Sequence, residues 1–203
     1  MHRLMRIGIV TACAASLVTV VPGAASPAAA YCFKGIGRWK GDRYTLHVRR
    51  DIPRGWRSSV RNAMRQWSGI KGSKLRYAGP RFASTARSPA FQIFRANFAD
   101  AGLPDVPGIA FGTDTPRHTS SSVALNTRFH WNTKGRMSQR ARRTDVWTIA
   151  VHEMGHSSGL AHPYASGGCG RPTAAEKAGV MYVNWTRKRY PNADDRAGIA
   201  RRY

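Results

Sequence analysis

Carboxylates are scarce in this chain. Ten Asp and Glu stand against 33 Lys and Arg, for a formal charge of +23 at pH 7. The bases are mostly Arg and are scattered rather than packed into one block. Such a balance carries no information about fold. It implies a solvated cationic surface, or a salt-sensitive attraction to polyanions such as an anionic cell-surface polymer. A specific nucleic-acid role is not expected, because zinc-finger, RRM-like and glycine-rich phosphate-loop signatures are all missing. Internal repeats and long low-complexity linkers are missing as well. At 203 residues that leaves one folded domain plus a processed segment.

The one charge-free apolar run of note lies near the start. Arg3 and Arg6 precede "IGIVTACAASLVTVV", and "PGAASPAAA" follows it with the small residues a signal peptidase accepts. The run is short for a membrane span and ends at Pro22-Gly23, so residues 1–30 are expected to be a signal peptide cut after Ala30. The expectation is a secreted, extracellular protein, residues 31–203, monomeric and without a membrane span. Cysteine is rare too, at three residues. Cys13 leaves with the signal, and the remaining pair, Cys32 and Cys169, most simply forms one disulfide in an exported protein.

Along the mature chain, residues 43–48, 73–78, 90–96, 107–112 and 121–127 are short enough and patterned well enough to be strands. Trp56, Val60, Ala63, Met64 and Trp67 recur at three- and four-residue steps and predict an amphipathic helix, with Pro53 suited to its start and Gly69 to its end. Thr144 and Asp145 are candidate caps for a second long helix. Loop-like chain follows, and a short helix is expected over residues 193–202. The order implies an α/β (α+β) arrangement, a mixed twisted sheet with helices packed on it.

Three of the seven histidines fall within "HEMGHSSGLAH", residues 152–162. On a helix His152 and His156 project from one face, a turn apart, and two imidazoles so placed can reach one zinc ion at about 2.0–2.1 Å. Glu153, the neighbour of the first ligand, can address a water on the ion without joining the ligands. Gly159 ends the helix and turns the chain sharply, bringing His162 back as a third ligand. Three neutral histidines leave a fourth position open, as a catalytic zinc requires. Two His and a Glu alone occur in ordinary helices; Gly159 and His162 at their fixed places set this stretch apart. The overlapping "GHSSG" resembles a hydrolase nucleophile elbow with Ser157 at its centre. That chemistry needs a later histidine, and none follows His162.

The extended pattern H-E-x-x-H-x-x-G-x-x-H, followed by a methionine turn, resembles the metzincin zinc peptidases. His152, Glu153, His156, Gly159 and His162 match each fixed position, and "GVMYVNW" resembles the turn, with Met181 as its methionine. Within that clan the chain is most similar to a matrixin catalytic domain: "RNAMRQW" resembles the first helix, "DVWTIAVHEMGHSSGLAHP" the active-site helix and "DDRAGIARRY" the closing helix. The resemblance implies a metzincin-like fold and a secreted zinc endopeptidase with one catalytic zinc, acting on polypeptide substrate. It implies Glu153 as general base, with Met181 packing beneath the ligands and Asp194 and Asp195 anchoring the closing helix to the turn. One of the two aspartates would pair with a mature amino terminus at Tyr31. Gly108, Ile109, Ala110, Phe111 and Gly112 would pair with substrate backbone. Val183, Asn184 and Trp185 would line the pocket for the residue after the cut.

The departures shape the expectations equally. The stretch in which matrixins carry a second, structural zinc offers only His118, so no structural zinc is expected. Asp100, Asp105 and Asp114 leave calcium open. The Pro-x-Tyr usual after the turn is absent, so side-chain preference does not carry over. No pro-domain with a masking cysteine is evident, and Cys32 as a zinc-masking thiolate is the lesser alternative to the disulfide. Asn184-x-Thr is a sequon in form, treated as chance because a glycan would obstruct the pocket. The alternative function is a catalytically silent or narrowly specific cationic zinc protein that binds polyanions.

Overall fold

The computed structural model of the chain describes residues 31–33, 35–113, 115–164 and 169–203. The expected signal peptide, its cleavage at Ala30, and Asp114 lie outside the described residues. The chain runs β1 (Arg38–Trp39), β2 (Arg43–Arg49), a 3-10 turn (Arg54–Trp56), α1 (Arg57–Gln66), β3 (Arg76–Ser84), β4 (Phe91–Ala96), β5 (Gly108–Phe111), β6 (Arg117–His118), β7 (Ser121–Asn126), β8 (His130–Asn132), β9 (Arg143–Asp145), α2 (Val146–Ser157), α3 (Ala174–Ala178) and α4 (Ala193–Arg202).

Five strands form a mixed sheet in the order β3-β2-β4-β7-β5. All neighbours are parallel except β5, which pairs antiparallel with β7 and forms an edge. Period-two alternation puts Leu46 and Val48, Phe91 and Ile93, and Val123 and Leu125 on one face, each buried almost completely. Val60, Ala63, Met64 and Trp67 at the end of α1 and Val146, Ala150, Val151 and Met154 of α2 complete that core. The two helices are also joined by a polar contact, the Trp67 indole donating to the Val151 carbonyl at 2.7 Å. A buried indole N–H needs such an acceptor, and here it registers one helix against the other.

Several elements differ from the sequence expectation. The strand expected over residues 73–78 starts at Arg76 and continues through Pro80 to Ser84. Proline within a strand is tolerated where no ladder bond is needed, and β3 is the sheet's other edge. The loop-like chain after the active-site helix contains α3, capped by a reciprocal pair: Thr173 accepts from the Glu176 N–H and Glu176 from the Thr173 N–H. Of the two candidate caps on α2, Asp145 performs the role, while Thr144 belongs to β9. Short pairs β1–β6 and β8–β9 have too few residues to show a pattern in sequence.

Candidate active site

Helix α2 begins on a buried carboxylate. Asp145 Oδ2 accepts from the Thr148 N–H and hydroxyl, both at 2.9 Å, and Oδ1 accepts from the Gly135 N–H at 3.0 Å. Arg189 meets the same carboxylate with two N–H groups, at 3.0 and 2.7 Å. Burial alone would raise the Asp145 carboxyl. The bonds from Arg189 and Thr148 outweigh it and hold the group below its ordinary value.

Two turns on, His152 and His156 face the same side. Their Nδ1 atoms lie 2.8 Å from the Val180 carbonyl and 2.7 Å from the Leu160 carbonyl. A carbonyl can only accept, so each Nδ1 carries the proton and each Nε2 presents a lone pair inward. Gly159, at φ 94°, makes the turn after the helix, and a Cβ there would meet Arg202 Nε at 2.9 Å and the Gly37 carbonyl at 3.0 Å. The turn returns His162, whose Nε2 lies 3.0 Å from both the His152 and the His156 Nε2. Burial, with mutual repulsion, keeps His152 well below its usual value and takes His162 down to about 3; burial lowers His156 too. Three neutral imidazoles converging with their outer nitrogens tied to backbone suit a zinc ion, and among the described residues they are the one cluster of three metal-type side chains. His152, His156 and His162 would hold it.

Glu153 turns the other way, towards β5. Gly108 sits so close to α2 that a Cβ would meet Ile149 Cγ2 at 2.5 Å and Glu153 Cγ at 3.0 Å. The Ala110 N–H donates to the Glu153 carboxylate. Burial nevertheless pushes the carboxyl up to about 8. Beneath the ligands, Met181 touches α2 where Gly155 leaves room: a Cβ on Gly155 would stand 2.3 Å from Met181 Sδ and 2.9 Å from Trp67 Cζ2. Asp195 secures the turn from below. Its Oδ2 accepts from the Val180 and Asn192 N–H groups at 2.9 and 3.0 Å, and Oδ1 from the Met181 N–H at 3.4 Å. The Val180 carbonyl in turn orients His152, so α4 reaches the triad through two backbone groups. Asp194 lines a small space with Asp195, Met181, Tyr31, Cys32 and Leu160.

The three histidines and Glu153 line a cleft of about 630 Å³. Of the residues expected to meet substrate, Gly108, Ile109, Ala110, Val183, Asn184 and Trp185 line it. Phe111 and Gly112 do not: Phe111 stacks on Phe94 at 6.5 Å, and Gly112 bends away at φ 73°. Trp185 lies flat on Phe129 at 6.0 Å. Cys32 and Cys169 form the expected disulfide. His118 is buried against Trp39, with Nε2 3.1 Å from the Ser157 carbonyl, and is part of the core. Ser157 is itself fully buried, its hydroxyl 2.8 Å from that of Ser121, which removes the nucleophile-elbow possibility on geometry as well. Asp105 is engaged by Arg142.

Some site residues escaped sequence reasoning. Tyr164 stacks on His162 at 5.0 Å and meets Tyr182 edge-on, so two phenols flank the triad. Lys188 donates to the Lys177 and Tyr182 carbonyls at 2.6 and 3.2 Å, closing the turn on itself. Gly155 and Arg189 were missed as well. A glycine on the buried face of a helix is the one signal among these that was open to inspection.

Compared with known families, residues 39–203 match the family described as Matrixin. No curated protein matches the chain.

Proposed function

The chain belongs to the matrixin family and is a zinc metalloendopeptidase; from that premise we propose a secreted enzyme that cuts extended polypeptide with Glu153 as its general base and His152, His156 and His162 as its zinc ligands. Zinc, when bound, supplies Lewis acidity, polarising a peptide carbonyl and making water easier to deprotonate. Burial keeps the three histidines neutral, and the Val180 and Leu160 carbonyls, by taking the Nδ1 protons of His152 and His156, aim the Nε2 atoms of those two rings inward. Glu153 takes the proton of the attacking water and returns it to the leaving nitrogen. Burial raises its carboxyl, which favours taking up a proton.

Substrate is placed by β5, which pairs with β7 on one side only and lies along the cleft. An extended peptide can add to its free side by backbone hydrogen bonds, without demanding particular side chains. Val183, Asn184 and Trp185 line the facing wall and would receive the residue after the cut.

The observation that carries this reading is the convergence of three histidines, with His162 Nε2 3.0 Å from the Nε2 atoms of His152 and His156, beside a buried glutamate. The test is casein hydrolysis by the mature chain and by Glu153→Ala, each with and without a zinc chelator. Cutting that both the substitution and the chelator abolish establishes the reading. A folded, zinc-loaded chain that cuts neither casein nor a peptide library would instead favour the second reading, a cationic zinc protein that binds polyanions, which the +23 charge supports. N-terminal sequencing of the exported chain tests the start at Tyr31.

A further inference from the structure

Helices α1 and α2 cover one face of the five-stranded sheet, and the other face has a different chemistry. Its outward side chains include His47 and Arg49 on β2, Gln92 and Phe94 on β4, Ser122 on β7 and Phe111 on β5. His47, Gln92, Ser122 and Phe111 lie in one row by strand register. Gln92 Nε2 donates to Ser122 Oγ at 3.0 Å, and His47 Nδ1 lies 2.8 Å from Ser84 Oγ. The Phe94 and Phe111 rings lie 6.5 Å apart and 19° from parallel.

Next to this row opens a basin of about 700 Å³, lined by Arg49, Arg50, Arg87, Ser84, Thr85 and Gln92, with Phe94 at its border. Three guanidiniums thus face one shared space. Asp51 is the single carboxylate on the rim, and one of its oxygens already accepts the Arg95 backbone N–H at 2.6 Å. Arg50 and Arg87 meet no carboxylate among the described residues. Arg49 is held in place through a bond from Nη1 to the Ala86 carbonyl at 2.5 Å, which leaves most of its N–H donors unspent. The local potential registers on a neighbour: His47 is lowered by burial and then by the charges of Arg81 and Arg49. Three cations around one carboxylate leave a net positive charge, and an anion placed among them relieves their mutual repulsion.

We propose that this basin is an exosite for an acidic polysaccharide, one whose sugars carry sulfate or carboxylate groups. The arginines match those groups, and Arg forks bind planar or tetrahedral oxyanions through paired N–H bonds. Ser84, Thr85 and Gln92 supply the neutral donors and acceptors that sugar hydroxyls need. Phe94 lines the basin and packs on Phe111, and the two rings supply apolar surface suited to the C–H face of a pyranose. Single-stranded nucleic acid would need a file of aromatic faces along a groove, and here one aromatic ring, Phe94, lines the basin. The inference rests on the polyanion attraction read from the net charge and gives it a location. Because the basin shares no residue with the cleft, a bound polymer leaves the triad open to peptide.

The test measures binding rather than turnover, so it is independent of the peptidase reading. Fluorescent dextran sulfate and polygalacturonate are titrated with the zinc-loaded mature chain at fixed ionic strength, with uncharged dextran and single-stranded DNA alongside. Both acidic polysaccharides are expected to bind and dextran is not. The triple variant R49E/R50E/R87E should weaken binding by at least about tenfold, since hydrogen bonds to charged groups are worth about that much each. A control triple that removes the same charge elsewhere, K134E/R136E/R140E, should change it by less than about threefold, the scale of a screened surface charge. Phe94→Ala should weaken the polysaccharides as well, and casein hydrolysis should be unchanged in all of these variants. Equal losses in the two triples would reduce the effect to net charge and overturn the site. Tighter binding of DNA than of either polysaccharide, sensitive to the same triple, would overturn the ligand class. If the basin triple does not fold, R50E and R87E singly, at exposed positions, carry the same comparison.

Discussion

Along one side of the cleft runs β5, four residues hydrogen-bonded to β7 along their length and pressed onto α2 at Gly108. Along the other runs the segment from Val180 to Arg189, which has no regular structure and is held by two buried carboxylates. Asp195 grips its first residues from below, and Asp145 grips its last through Arg189. The strand wall spreads its stability over many backbone bonds, so no single side chain governs it. The irregular wall concentrates its stability in two acidic groups. Those two groups also differ from each other. Asp145 has a guanidinium partner and sits below its ordinary pKa; Asp195 has only backbone donors, and burial raises it. One wall is therefore expected to resist point changes and acid, and the other to depend on both.

The largest expected effect lies where the two walls share a target. Glu153→Gln should lower kcat by about 10²–10⁴-fold, the usual worth of a general base, while leaving zinc content intact by elemental analysis. Breaking the irregular wall comes next. Arg189→Ala strands Asp145 in the interior and should cost about 3 kcal/mol or more in urea unfolding, the scale for breaking a buried pair. Asp195→Ala should cost a similar amount, because it leaves buried N–H groups of Val180 and Met181 without an acceptor, each worth about 1–3 kcal/mol. It should also weaken zinc binding by about 10–100-fold, since the Val180 carbonyl then no longer holds the His152 ring. A loss of stability with unchanged zinc affinity would separate α4 from the triad. On the strand wall, Gly108→Ala should cost about 1–3 kcal/mol through overpacking against Ile149. A stable variant with full activity would show that β5 can lift from α2 without harm.

The smallest effect, and the finest test of the comparison, is in pH. Asp145 has a lowered folded pKa, so its contribution is complete above the unfolded carboxylate value near about 4 and is lost as pH falls through the folded value. Asp195 has a raised folded pKa. Its contribution is most favourable below the unfolded value and declines as pH rises from there through the folded value. Unfolding midpoints of wild type, Asp145→Asn and Asp195→Asn between pH 3 and 7 should therefore diverge with opposite slopes. Parallel curves would show that the two carboxylates share one environment.

The strand wall and the triad were largely legible from sequence, and the irregular wall was not. Residues 57–66 declared a helix through apolar steps of three and four, and α4 spans the expected residues 193–202. The edge strand was visible as a short apolar run between turn residues. By contrast β3 continued past Pro80, because position at a sheet edge, invisible locally, excuses a missing N–H. Helix α3 carried its Thr173–Glu176 capping signal openly, but in a stretch otherwise rich in Gly and Pro. Asp195 was recognised as an anchor, whereas Arg189 had nothing to distinguish it among so many arginines. Phe111 and Gly112 were assigned to substrate with the rest of their strand. In the structure Phe111 packs on Phe94 and Gly112 turns at φ 73°.

What the sequence determined by itself is the reactive set: His152, Glu153, His156, Gly159 and His162 fall within eleven consecutive positions, and helix geometry with one glycine turn brings them together whatever surrounds them. Only the tertiary structure decided which nitrogen of each histidine faces inward, how close β5 comes to Glu153, and what holds the far wall. Those features depend on backbone carbonyls and N–H groups brought in from distant segments. Every residue but proline offers the same pair of backbone groups, so no letter of the sequence marks the ones that were used.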